Sequence, residues 1–422
     1  MGKNTAAAYI YTSGTTGLPK ACVVRNSRLM TMGLTMNIFG VERDDVTYTC
    51  LPLYHSSGLG IGFGNALVVG STIVISRKFS ASRFFQHCAE HNVTAVQYIG
   101  ELFRYLANTP ASPWDRRHKV RVAVGNGLRR EIWVPFQERF QIPEIGEFYG
   151  ATEGNISFMN HCRGVLNGDH SRVGAVGRVG PFIKKLTKFR IVKHDVENEA
   201  PVRDPKTGFC IECAPGEPGE LLGYMDPDNE RLRFVGYTSK EASDKKILKD
   251  VLVKGDSYFR TGDLLRHDSD GFLYFVDRVG DTFRYKGENV ATGEVAQVVG
   301  ELPGVLEANV YGVQIPGSPD GRACMSAIVL KDGVSADTVD LAALSDHVHR
   351  SLATYAVPHF VRILPQMDLT GTFKHRKVDL AKDGFDPAII SDPLFYLDTS
   401  TREYKPLTAE AYADICAGKA RL

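Results

Sequence analysis

Apolar positions recur along this chain with two periods that alternate, one near 3.6 residues and one near 2. Residues Ala6–Tyr11 read as a strand that runs directly into a segment of glycines and hydroxyls. From there to about position 160 the spacing predicts helices over Phe79–His91, Leu102–Leu106 and Trp133–Phe140. It predicts strands over Ala95–Tyr98 and Val120–Val124. Helix and strand in alternation imply an α/β layer on a largely parallel sheet. Between 172 and 277 the pattern shortens to strands and turns, as in Gly216-Glu-Pro-Gly-Glu-Leu-Leu222 and Gly271-Phe-Leu-Tyr-Phe-Val-Asp277, which predicts a β-rich part. Beyond Arg278, helices over Gly293–Val299 and Leu341–Leu352 with strands over Val305–Val313 and Met325–Leu330 predict a smaller α+β domain. The expected organisation is a large domain over 1–277 (α/β over 1–171, β-rich over 172–277), a hinge near 278–281 and a small domain over 278–380. A tail, 381–422, carries little pattern.

One stretch changes this picture. No Asp, Glu, Lys or Arg occurs from Val46 to Ser76, and Gly58–Ile75 is mostly apolar, long enough to be weighed as a membrane span. Glycines at 58, 60, 62, 64 and 70 and the run Ser71-Thr-Ile-Val-Ile75 favour a small-residue helix packed on a sheet, then a buried strand. Membrane contact, peripheral association included, is the minority reading. Apolar residues at 43% and charged residues at 23% fit a folded globular chain. A net charge of +1 supplies no global field for nucleic acid or an acidic membrane, so any anion site is local. Eight scattered cysteines fit a reducing compartment, and Cys210-Ile-Glu-Cys213, without a second pair, reads as two unrelated thiols. The sequons at Asn92 and Asn155 are read as chance matches.

Chemistry concentrates first in Tyr11-Thr-Ser-Gly-Thr-Thr-Gly-Leu-Pro-Lys20. Glycines let a backbone approach phosphate oxygens, hydroxyls donate hydrogen bonds, and Lys20 brings positive charge. The Walker spacing is absent, and Gly58-Leu-Gly60 lacks the third glycine of a dinucleotide fingerprint. The loop resembles the signature loop of the adenylate-forming (AMP-binding) superfamily, and four further motifs follow in that family's order. The resemblance assigns Thr12, Ser13, Gly14, Thr15, Thr16, Gly17 and Lys20 to phosphate binding.

Tyr149-Gly-Ala-Thr-Glu-Gly154 is similar to the family's adenine and magnesium motif. It implies Tyr149 against adenine, Thr152 at the α-phosphate and Glu153 as the Mg²⁺ ligand. Val124-Gly-Asn-Gly-Leu-Arg129 resembles the loop passing the adenine, with Gly125, Asn126 and Gly127 lining the base. Tyr258-Phe-Arg-Thr-Gly-Asp-Leu264 resembles the ribose motif, which gives Asp263 the ribose hydroxyls. Arg278 resembles the arginine at the domain junction, with the hinge pivot at Gly280 or Asp281. Leu369-Thr-Gly-Thr-Phe-Lys374-His-Arg-Lys-Val-Asp-Leu380 resembles the segment of the adenylation lysine. Lys374 takes that role, and the neighbouring Lys377 is the competing choice. His55, in Leu51-Pro-Leu-Tyr-His55, falls where the family places a residue at the acyl cleft; the alternative is a satisfied core histidine.

Val124–Trp133, Phe148–Asn155, Gly280–Val290, Leu394–Asp398 and Tyr404–Leu407 resemble the fatty-acid transport protein and very-long-chain acyl-CoA synthetase branch. That resemblance implies ATP, Mg²⁺ and coenzyme A as cofactors and co-substrate, and a long or very long fatty acid activated through acyl-AMP to acyl-CoA. Family members begin well upstream of the phosphate loop, so the expectation here is a partial large domain, truncated at its N-terminal side. This leaves two competing functions open: a non-catalytic fatty-acid binding or uptake protein, and a CoA ligase for another carboxylate such as carnitine, a bile acid or a coumarate. The final Ala420-Arg-Leu422 resembles a peroxisomal address, with the endoplasmic reticulum or another cytosol-facing membrane as the alternative.

Overall fold

A computed structural model describes residues 2–12, 20–368 and 377–420, the side chain of Pro181 excepted. Two compact units divide the chain: Met1–Lys193 with Pro201–Phe275, and His194–Ala200 with Val276–Leu422.

In the first unit a six-stranded sheet runs in the order Thr72–Ile75, Val46–Thr49, Ala95–Ile99, Val122–Asn126, Glu144–Gly150, Ser157–Arg163. The first five strands pair in parallel and the last turns back antiparallel. Because side chains alternate along each strand, Ala95, Val122 and Val124 share one face and meet Met36, Phe39 and Ile61. Gly146 lies on that face because a Cβ there would come 2.6 Å from the Phe39 ring. The other face carries Tyr48 and Tyr98 and is covered by helices Phe84–Glu90, Gly100–Ala107 and Arg130–Phe140. Their aromatic residues stack in series: Tyr98 on Phe103 at 4.1 Å, Phe103 on Phe136 at 3.8 Å. The predicted α/β layer is therefore present, with helix ends shifted by a few residues.

Two expectations for this region need correction. The run Ser71–Ile75 is no buried strand: Thr72–Ile75 is the edge of the described sheet, flanked only by Val46–Thr49, and Ile75 is 44% exposed. An apolar, β-branched run cannot distinguish an edge from a centre, because pairing partners come from distant sequence. The glycine stretch forms a π-helical turn, Ser57–Phe63, continued by helix Gly64–Val69. Gly58, Gly60, Gly62 and Gly64 are buried there, as the packed-helix reading expects, while Leu67 is exposed. No helix among the described residues is long and apolar enough to cross a membrane.

The phosphate loop joins an antiparallel pair, Ala6–Thr12 and Lys20–Arg25, in register Thr12↔Lys20. The β-rich part forms a second six-stranded sheet. It runs Arg190–Val192, Gly219–Tyr224, Ser257–His267, Phe272–Arg278, Gly177–Arg178, with Ile247–Lys249 also paired to Ser257–His267. Glu220, fully buried, is neutralised there by Arg260, Nη2 to Oε2 2.7 Å. Cys210 and Cys213 are buried free thiols in separate apolar clusters. Asn155 donates its amide to the carbonyls of Tyr224 and Leu232 at 2.7 and 2.8 Å, a structural rather than a glycan-bearing use.

The second unit is built on a five-stranded sheet: Val305–Gln314, Arg322–Leu330, Phe360–Leu364, Leu394–Asp398, Glu403–Pro406. Its last two strands and helix Ala409–Cys416 come from the region expected to be a patternless tail. Leu397, Tyr404, Leu407 and Ile415 belong to the same core as the central strands, and the Tyr404 hydroxyl donates to the Pro358 carbonyl at 2.7 Å. Each of these strands buries only one or two side chains, too few for a period-2 signal to emerge from sequence.

The aromatic stack gives a direct stability test. Phe136→Ala removes a fully buried ring in van der Waals contact with Phe103 and Phe140. It is expected to lower the unfolding free energy by about 3–5 kcal/mol, measured by urea titration.

Candidate active site

Strands and loops of the first unit hold the described nucleotide candidates Thr12, Lys20, Gly125–Gly127, Tyr149, Thr152, Glu153 and Asp263. The adenine-side segment begins in strand Val122–Asn126. Gly125 has no room for a side chain, since a Cβ would lie 2.2 Å from the Tyr98 carbonyl oxygen. Gly127 follows at φ +78°, a conformation that favours glycine. Both the Gly127 and Leu128 N–H groups donate to Oε1 of Glu147, whose Oε2 accepts from the Tyr98 hydroxyl. Glu147 has 1% exposure, and burial pushes its carboxyl up to about 8. It was not among the predicted residues. A charged residue inside a strand otherwise reading as parallel-sheet core, Glu144–Gly150, was the signal that could have exposed it.

Beyond that strand, Tyr149 is buried and donates its hydroxyl to Oδ2 of Asp263 at 2.6 Å. Asp263 is presented by a bulge. Leu222 pairs with Arg260 and Glu220 with Leu264, so Thr261, Gly262 and Asp263 together oppose the single residue Leu221. Gly262 takes φ +78° to make the bend, and the Thr261 hydroxyl donates to the Leu221 carbonyl while accepting the Asp263 N–H. The adenine and ribose residues of the sequence reading are thus one hydrogen-bonded pair.

Thr152 and Glu153 are each held by a residue that sequence reasoning missed. Ser56 Oγ and Thr152 Oγ1 are 2.8 Å apart, and the Tyr237 hydroxyl donates to Glu153 Oε1 at 2.7 Å. Tyr237 lies beside the strand that leaves the phosphate loop: the Thr238 N–H donates to the Ala21 carbonyl, and Lys20 Nζ is 6.0 Å from the Tyr237 ring. Burial, reinforced by the Glu153 charge, pushes the Tyr237 phenol far above its usual value, so it acts as a donor. Arg28 donates to the Ala151 carbonyl at 3.1 Å and lies within the field of Glu153; burial lowers its guanidinium from the ordinary value. Ser56 adjoins the predicted His55 and could have been found with it. Tyr237 stands 84 residues from Glu153, and nothing local marks it.

His55 is half-buried, and its Nδ1 accepts the Ser57 N–H at 3.4 Å at the start of the π-helical turn. Of the phosphate loop, Thr12 and Lys20 are described, with the Thr12 hydroxyl 3.4 Å from the Lys20 carbonyl. Ser13, Gly14, Thr15, Thr16 and Gly17 lie outside the described residues, and so does Lys374.

In the second unit, Arg278 ends strand Phe272–Arg278, and its carbonyl accepts the N–H groups of Asp281 and Thr282 at 3.0 Å, closing a tight turn around Gly280. Buried Asp277 accepts the Arg278 N–H and the Thr282 and Thr292 hydroxyls. Its carboxyl is raised, chiefly by burial, against the lowering field of Lys377. Lys377 Nζ donates to Thr292 Oγ1 at 2.6 Å and lies 3.3 Å from Asp281 Oδ2. Lys377 is therefore engaged in holding this turn.

Glu153 offers a carboxylate, and the adjacent Thr152 a hydroxyl, of the hard-oxygen kind that suits Mg²⁺. Among the described residues no group of three or more His, Cys, Asp or Glu forms a metal cluster. One carboxylate is nevertheless what a Mg²⁺ ion shared with phosphate oxygens and water requires.

The profile of the AMP-binding enzyme family matches residues 1–223, and that of the AMP-binding enzyme C-terminal domain matches residues 294–374; the chain belongs to the AMP-binding enzymes. Within that class it is similar to long-chain fatty acid transport protein 2 of Rattus norvegicus, 47% identical over 410 residues, covering 97% of this chain and 63% of that protein. It is similar also to long-chain fatty acid transport protein 1 of Homo sapiens, 46% identical over 418 residues, covering 99% of this chain and 62% of that protein. The chain thus spans about three-fifths of the length of these relatives. Among solved structures, ATP-bound MatB from Rhodopseudomonas palustris superposes with a TM-score of 0.70 at 24% identity, over 90% of this chain and 69% of that one. O-succinylbenzoate CoA synthetase (MenE) from Bacillus subtilis with AMP gives 0.67 at 24% identity, over 89% and 69%. These likenesses establish the shared mixed α/β architecture, a large N-terminal part with a smaller C-terminal one.

Two measurements follow from the geometry. Glu147 has a folded carboxyl pKa above its unfolded value, so the folded state binds the extra proton and stability declines as pH rises from about 4.5 toward about 8. Glu147→Gln is expected to flatten that decline, whose limit for one proton is ~1.4 kcal/mol per pH unit, in urea titrations across that range. Tyr237→Phe removes a charge-assisted hydrogen bond from Glu153 and is expected to raise the Mg²⁺ concentration for half-maximal ATP binding about tenfold. Fluorescent-nucleotide titration reads this, with an unchanged melting curve as the control for folding.

Proposed function

We propose that this chain is an AMP-forming acid–CoA ligase acting on long or very long fatty acids. The observation that carries the reading is three hydrogen-bonded pairs, Tyr149–Asp263, Ser56–Thr152 and Tyr237–Glu153, with Tyr149 on the strand paired to Val122–Asn126 and Tyr237 beside the strand that begins at Lys20. Such a set offers a carboxylate for two ribose hydroxyls, a hydroxyl for a phosphate oxygen and a carboxylate for a divalent cation. The choice of fatty acid as substrate rests on similarity to the fatty acid transport proteins.

In the first half-reaction a carboxylate oxygen of the acid attacks the α-phosphorus of ATP. The new P–O bond gives acyl-AMP, and the bond to the departing pyrophosphate breaks. Lys374 would sit where carboxylate and α-phosphate meet, lowering the repulsion between two anions, with Thr152 donating to the phosphate and Asp263 fixing the ribose. Mg²⁺, held by Glu153, would neutralise charge on the phosphates. In the second half-reaction the CoA thiolate attacks the acyl carbonyl, forms the thioester and releases AMP. The turn at Asp277–Asp281 is the place to absorb a change between these steps, with the pivot at Gly280 or Asp281. Since Lys377 is committed to Thr292 and Asp281, Lys374 is the residue assigned to adenylation.

Lys374→Ala is expected to reduce acid-dependent pyrophosphate release about 10²–10³-fold, with AMP binding nearly unchanged and thioester formation from supplied acyl-AMP largely preserved. A folded protein that releases no pyrophosphate with any acid of a saturated series from palmitate upward would overturn the ligase reading.

A further inference from the structure

Helix Pro181–Thr187 leaves its apolar side to solvent. Phe182, Ile183 and Leu186 are 72%, 44% and 55% exposed, and their i, i+1, i+4 spacing puts them on one side of the helix. Directly after it, Phe189 and Ile191 are buried in the core of the β-rich part, so the helix is pinned at its base while the three large side chains stand outward. Lys188 closes the helix at φ +51° and returns its N–H to the Lys184 carbonyl.

Along the sequence the charge beside this helix is one-signed, although in space Lys193 pairs with Glu217 at 2.7 Å. No Asp or Glu occurs between Asp169 and Asp195, whereas Lys184, Lys185, Lys188, Arg190 and Lys193 follow one another within that interval of a chain whose net charge is only +1. Lys184, Lys185, Lys188 and Arg190 line an open cleft of about 490 Å³ together with a single carboxylate, Glu212, whose Oε1 lies 3.3 Å from Arg190 Nε. Lys188 Nζ rests 4.7 Å from the Tyr224 ring centre, which holds one ammonium at the cleft wall.

We propose that this helix is a docking surface for an anionic phospholipid bilayer. Phe182, Ile183 and Leu186 enter the interfacial layer, and the cations of the cleft receive lipid phosphates. The apolar side alone would suit a protein partner equally; the acid-free run of cations beside it selects an anionic lipid surface. Three side chains make a reversible attachment rather than a permanent anchor. The inference stands apart from the ligase reading, although a long-chain acid held in bilayers would make the two complementary.

Co-sedimentation of the full chain with phosphatidylcholine vesicles, with and without phosphatidylserine, tests it without ATP or acid. Binding is expected with phosphatidylserine and is expected to weaken as salt rises. The double variants Phe182→Asp/Leu186→Asp and Lys184→Glu/Lys185→Glu should each bind at least about tenfold more weakly, with unchanged melting curves and vesicle-free pyrophosphate release. Absence of vesicle binding, indifference to phosphatidylserine, or wild-type binding by either variant overturns the proposal. So does a wild-type dimer, seen in sedimentation velocity, that Phe182→Asp/Leu186→Asp dissolves while vesicle binding stays unchanged. Failure of the ligase reading would instead show in the pyrophosphate assay and leave the vesicle result untouched.

Discussion

A carboxyl group with almost no contact with water, Glu147, joins three neighbouring strands of the parallel sheet. It takes the N–H groups of Gly127 and Leu128 after one strand and the phenol of Tyr98 on another. Backbone donors that leave a strand end inside a protein need partners, and an unpaired one costs about 1–3 kcal/mol. Glu147 supplies both at once and thereby fixes the path of the Gly125–Leu128 segment. Hydrophobic packing alone would not do so, since a glycine-rich turn offers little apolar surface to hold. The aromatic stack behind it, Tyr98 on Phe103 on Phe136, keeps water from competing for those hydrogen bonds.

Around this fixed segment the candidate site repeats one pattern: three of the polar groups proposed to meet nucleotide or cation are gripped by a second protein group. Tyr149 holds Asp263, Ser56 holds Thr152, and Tyr237 holds Glu153. In the second unit, Thr292 and Lys377 do the same for Asp277 and Asp281. Long polar side chains lose rotamer freedom when they bind a ligand, and pairing them beforehand moves that entropic cost into folding.

Much of this was legible in the sequence, and the legible parts share a cause. The parallel sheet announced itself because each βα unit is local, with its own period and turn residues. The motifs that carry the family resemblance were legible because glycines and the polar residues beside them are contiguous, as in Tyr149–Gly154. What stayed hidden depends on contacts between distant segments. Tyr237 carries no mark until the chain folds it against Glu153, and the edge position of Thr72–Ile75 is set by what lies beside it. Leu394–Asp398 and Glu403–Pro406 become strands only because Phe360–Leu364 offers them an edge. Glu147 is an intermediate case, since an acid at the centre of a strand, between Gly146 and Phe148, is a visible anomaly whose purpose appears only with its partners.

The bulge at Thr261–Asp263 has a bearing on which nucleotides could use this site. Because the Thr261 hydroxyl replaces the ladder bonds that the extra residues interrupt, Asp263 is set before any ligand arrives. Tyr149 already occupies one of its oxygens, which leaves the carboxylate little latitude to reorient. In the proposed ribose role, a sugar lacking one of its two hydroxyls would leave a partly desolvated lone pair unsatisfied, a penalty that flexible carboxylates escape by turning to solvent. A strand irregularity would in this way become a means of telling ribonucleotides from deoxyribonucleotides.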